Sequence, residues 1–141
     1  MASIRELDLK MNKIKQELKL AIDNSSGAVD TLIVQRQAVG MKQWALDFQA
    51  FYIAESKSRI THRSKIISKG EKIVREAMNC YYYLIELEME SNNPPAPAIG
   101  RTEIAGLPSG HVHGPLKTQV LTQVSDLLEM MRNYKLFFMR T

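Results

Sequence analysis

His62, His111 and His113 are the only histidines of this 141-residue chain, and a metal site built on them needs a third or fourth donor within reach. His111-Val-His113 lies among glycines and prolines, and no aspartate or glutamate is spaced with any of the three on a helix, so no metal is expected. Cys80 is the single cysteine. It excludes an intrachain disulfide and a cysteine-based zinc centre, and its apolar neighbours mark it as a small core residue. No serine or cysteine stands in a recognisable nucleophile elbow. Gly106, Gly110 and Gly114 recur four apart, which fits neither a Walker loop nor a dinucleotide fingerprint. Glu86 and Glu90 share a helix face while Glu88 falls on the other side, the pattern of a solvated surface. The expectation is therefore no enzyme, no catalytic residue, no cofactor and no metal.

Charge and apolar patterning remain as the chemistry to be read. Lys57, Arg59, Arg63, Lys65, Lys69, Lys72 and Arg75 follow one another with Glu71 as the only acid among them. Such a belt can neutralise phosphates or an anionic surface, or meet the acidic block over 76–90 of another copy, so these seven are the candidate anion or nucleic-acid contacts. Trp44, Phe48, Phe51 and Tyr52 share one helical face, which points to packing rather than to base stacking, and Tyr81, Tyr82 and Tyr83 can bury rings while their hydroxyls reach water.

The elements that carry these residues read as helices throughout, since period-two alternation is absent. Ser3-Ile-Arg-Glu6 has the form of a capping box, and Ile4, Leu7, Met11, Ile14, Leu18 and Ala21 follow at steps of three and four. Asp23-Asn-Ser-Ser-Gly27 breaks this helix, with Ser25 or Ser26 able to cap the next. Residues 28–91 then contain no proline and only Gly40 and Gly70 as glycines. Within them Leu32, Val39, Leu46, Ile53, Ile60, Ile67, Val74 and Tyr81 recur at every seventh position, and Ala38, Ala45, Tyr52, Ile66, Ile73 and Cys80 double the stripe. A hairpin with its turn between Glu55 and Lys65, where serines and a threonine weaken the helix, is the alternative to one continuous helix. A hairpin has no reason to keep heptad phase across its loop, and cations in the first turn of a new helix oppose its dipole. The continuous helix is the preferred reading, on the order of 90 Å long at the standard rise.

The prolines after Asn92 end that helix, and 92–115 reads as a Pro/Gly linker. Pro115 suits the first turn of a last helix, where Val120, Val124, Leu127, Met131, Tyr134 and Phe138 again step by four and three. The expected organisation is all-α, an elongated helical bundle or coiled coil: 1–91 as a short helix plus the long central helix or hairpin, 92–115 as linker, and 116–141 as an amphipathic helix. No window is long and apolar enough to span a membrane.

A central helix so long exposes more seam than the two short helices can cover. The eight-residue stripe from Leu32 to Tyr81 is accordingly expected to be the oligomer interface of a non-enzymatic structural subunit, with other copies of itself and other assembly proteins as partners. In general build the chain resembles structural subunits of phages and of secretion apparatus, an analogy of shape that specifies no family. The expected setting is the cytoplasm, or a viral particle or secretion apparatus assembled from it. The alternatives are a nucleic-acid-associated basic helical protein and an adaptor or chaperone for a partner helix.

Overall fold

The computed structural model describes residues 2–92 and 113–139, and among these it contains four α-helices, one short 3-10 turn and no strand. Helix α1 spans Ile4–Asp23, α2 Thr31–Ser58, the 3-10 turn Ile60–His62, α3 Arg63–Asn92 and α4 His113–Met139. The all-α class expected from the sequence is what the chain adopts. Of the linker expected over 92–115, residues 93–112 lie outside the described residues; α3 runs to the residue before them, and Pro115 stands in the first turn of α4.

Ser3 caps α1, its Oγ accepting a hydrogen bond from the Glu6 amide at 3.2 Å. Leu7, Met11, Ile14, Leu18 and Ile22 are the buried face of this helix. The cap of α2 is not Ser25 or Ser26 but Asp30, whose Oδ1 accepts from the Leu32 amide at 2.9 Å. Val29 and Val34 are both buried, at the two positions of a hydrophobic staple, and drawing Val29 into the core moves the helix start past the serines. Ser25 instead donates to the carbonyl of Ile22 at 2.7 Å and finishes α1.

The continuous central helix is corrected by the structure: the segment is a hairpin. Arg59 leaves helical geometry at φ −121° and ψ 69°, and the chain reverses through the 3-10 turn. Just before it, Ser56 and Ser58 donate their hydroxyls to the carbonyls of Ile53 and Glu55, competing with the helix for its own acceptors. The two arms are antiparallel. Gln35 near the start of α2 bonds Glu88 near the end of α3 at 2.7 Å, while Gly70 lies against Tyr52 beside the turn. Arg63 and Lys65 do stand in a first turn that holds no acid. That opposition costs about 0.3–1 kcal/mol per charge. Burying one large apolar side chain such as Ile66 or Leu84 returns about 1.5–3 kcal/mol, and α3 also buries Ile73, Ala77, Cys80 and Leu87. Tertiary burial decides the break.

Helix α1 runs antiparallel to α2: Trp44 Nε1 donates to the Leu7 carbonyl at 2.8 Å, and further along Gln37 bonds Glu17. Helix α4 runs antiparallel to α3, with Gln123 on Glu76 at 2.7 Å and the Tyr134 hydroxyl on the Ile66 carbonyl at 3.3 Å. Asp8 of α1 pairs with Arg132 at 3.5 Å and Lys135 at 3.3 Å on α4. Each helix is thus antiparallel to the next, and the last packs beside the first, an up-down bundle around one core. The C-terminal helix docks within its own chain, with Val120, Val124, Leu127, Leu128, Met131, Tyr134 and Phe138 all buried.

At Gly70 the hairpin arms approach closely, since a Cβ there would stand 2.6 Å from both Cγ and Cδ2 of the Tyr52 ring. At Gly40 the nearest atom to an added Cβ is Ile14 Cδ1 at 3.9 Å, an ordinary contact. The same substitution should therefore have opposite effects. Gly40→Ala should raise stability by about 0.5–1 kcal/mol through helix propensity. Gly70→Ala should lower it by about 1–3 kcal/mol through overpacking. Urea denaturation of both variants checks this, and equal shifts would refute the close approach.

Candidate interaction surfaces

The predicted eight-residue stripe divides at the turn. On α2, Leu32, Val39, Leu46 and Ile53 are 67%, 70%, 52% and 41% exposed. They lie opposite the buried residues Val34, Met41 and Phe48, two positions further on and so about 200° away around the helix. Ile60 falls in the 3-10 turn and is exposed off the helix axis. On α3, Ile67, Val74 and Tyr81 are half-buried beside Ile66, Ile73 and Cys80. One heptad phase therefore marks two different faces, outward on α2 and flanking the core on α3.

Two polar groups beside the α2 stripe are engaged within the helix or against α3. Gln43 donates to Asp47 at 2.9 Å, one turn on, and the Lys42 ammonium lies 5.7 Å from the centre of the Tyr81 ring. The result is a row of large apolar side chains with a polar border. Leu9, Leu20, Tyr82 and Met89 are also exposed, on other helices, and form no row of this regularity.

The basic run is gathered at the hairpin turn and along the first turns of α3. Arg59 is structural rather than free for an anion: its Nη1 donates to the Phe138 carbonyl at 3.0 Å, its guanidinium carbon stands 3.9 Å from the ring centre of Phe138, and Nε lies 3.6 Å from Glu55. Lys69 sits 5.3 Å from the centre of the Phe137 ring. Lys57, Arg63, Lys65, Lys72 and Arg75 are exposed. Lys69 and Lys72 also line a hollow of about 210 Å³ against Met130, Asn133 and Tyr134.

Among the described residues no three His, Cys, Asp or Glu side chains are grouped to hold a metal, and no helix is long and apolar enough to cross a membrane. His62 lies in the turn, and His111 is outside the described residues. Cys80 is fully buried, and burial pushes its thiol up to about 12, far from a reactive thiolate at neutral pH. Trp44, Phe48, Phe51 and Tyr52 are buried together, with Trp44 and Phe48 stacked at 5.1 Å and Phe48 edge-on to Tyr134 at 5.2 Å. A hollow of about 620 Å³ where α1 ends and α2 begins includes Glu17, Asp30 and Arg36 in its lining. Glu17 is engaged by Gln37, and Asp30 by the Leu32 amide of its own helix.

Sequence reasoning missed the part-buried Gln37–Glu17 bond and the double pairing of Asp8 with Arg132 and Lys135. Neither has a local signature, because each partner is set by which helix lies alongside.

Fold and surface together define a helical bundle with one apolar outer row and one basic end. No family model matches the chain, and the searches of curated proteins and of solved structures found no match.

Proposed function

We propose that this chain is a non-enzymatic structural subunit that self-associates through the outer face of α2. The observation that carries the reading is the row Leu32, Val39, Leu46 and Ile53, four large apolar side chains at heptad spacing on a face that none of the described helices covers. A single exposed leucine is ordinary on a protein surface, but a regular apolar row with a polar border is the form of a surface made for another helix. A subunit of this kind suits a larger assembly, with a viral particle and a secretion apparatus as the settings to try.

The test is sedimentation velocity with light scattering at tens of micromolar protein. The parent is expected to run as an oligomer, and Val39→Ser with Leu46→Ser to run as a monomer of unchanged helix content, because both side chains face outward. A parent that stays monomeric across that range removes the proposal.

A further inference from the structure

The hairpin turn and the end of α4 meet at one end of the bundle. The Arg59–Phe138 hydrogen bond of 3.0 Å, with the guanidinium over the Phe138 ring, fixes them together. The next residue on each strand of that junction turns outward: Ile60 is 76% exposed and Met139 71%. Leu136, one turn back on α4, is 54% exposed. Lys57, Arg63 and Lys65 are exposed on either side of Ile60 in the chain, and none forms an ion pair among the described residues. Between residues 53 and 70 the only acid is Glu55, and Arg59 is paired with it.

Large aliphatic side chains standing in water beside exposed cations answer one kind of partner well. We infer that this end of the bundle docks on an anionic lipid surface, Ile60 and Met139 entering the boundary between headgroups and acyl chains while Lys57, Arg63 and Lys65 meet lipid phosphates. Cations close to an anionic bilayer are attracted to it, and aliphatic groups at its boundary leave water. A nucleic acid would use the same cations but leave Ile60 and Met139 in water, and it would find no open aromatic face here, since Phe137 is half-buried with Lys69 over it. The same end of a second copy would bring like charges together. The apolar row of α2 is not used by this contact, so the inference stands independently of self-association.

Co-flotation of the full chain with vesicles tests it, comparing phosphatidylcholine alone with equal parts phosphatidylcholine and phosphatidylglycerol. Binding is expected to the mixed vesicles only, and to weaken with salt. Each cation should contribute about fivefold in partition, so the triple variant Lys57→Glu, Arg63→Glu, Lys65→Glu should lose about a hundredfold or more. Ile60→Ser with Met139→Ser should lose about tenfold at unchanged charge and melting temperature. Absence of binding by the parent overturns the inference. So does an Ile60→Ser, Met139→Ser variant that floats like the parent, which would mark a site for polyanions in general. Retardation of duplex DNA by both proteins without vesicle binding would assign the end to nucleic acid instead, and salt-sensitive self-association lost in the triple variant without vesicle binding would assign it to another copy's acidic side chains.

Discussion

Phe48→Ala should destabilise the bundle by about 3–5 kcal/mol, a large share of the roughly 5–15 kcal/mol that holds a domain together. Phe48 is fully buried at the centre of the aromatic cluster, 5.1 Å from Trp44, 6.3 Å from Phe51, 5.9 Å from Tyr52 and 5.2 Å from Tyr134, ring centre to ring centre. Those neighbours sit on α2 and α4, and Trp44 is in turn tied to α1 through the Leu7 carbonyl. A cavity at this point is therefore lined by several helices and cannot close by shifting one side chain. The measurement is the urea midpoint at fixed protein concentration, with the slope compared to confirm that the same surface is being exposed. Phe48→Leu should recover more than half of the loss. A loss under about 1 kcal/mol for Phe48→Ala would mean that the cluster is not packed as described.

Deletion of residues 134–141 should be the more damaging change. It removes Tyr134, buried with its hydroxyl on the Ile66 carbonyl and its phenol pushed above the ordinary range by burial, and Phe138, whose ring centre lies 5.2 Å from that of Phe51. It also takes away the carbonyl that Arg59 holds. Losing two buried aromatics costs about 3–6 kcal/mol, and the chain left behind exposes Phe48 and Phe51. Aggregation, dye binding and loss of a cooperative melt are the expected outcome. A truncated protein with the melting temperature and association state of the parent would show this tail to be dispensable.

Much of the fold could be read locally. The seams of α1 and α4 lie where the steps of three and four place them, the Ser3 cap holds, and Cys80 and the aromatic cluster are core. Less legible was which of two adjacent heptad phases is buried. Hydropathy favours the row of Leu32, Val39, Leu46 and Ile53 over its neighbours Ala38, Ala45 and Tyr52, yet the second row is the buried one. Alanines remove little apolar area but let a neighbouring helix approach closely, which a hydrophobicity pattern undervalues. The hairpin was hidden for a related reason. Its turn contains no proline or glycine, and what closes it, Arg59 on Phe138 and Gly70 under Tyr52, joins residues far apart in the chain. Gly70 lies inside α3 and serves an approach between helices, not a break.

The contact of Asp8 with Arg132 and Lys135 also says something about connectivity. It brings the opening turns of the first helix beside the closing turns of the last, so the four helices form a closed ring in which the order of synthesis is only one possible cut. A circular permutant that joins the end of α4 to the start of α1 through a short glycine-serine bridge, and begins instead within 93–112, would preserve every helix pairing described. The helix ends that flank this cut, Asn92 and His113, stand at the end of the bundle away from Ile60 and Met139, so that the basic end and the new termini belong to opposite ends of the helices.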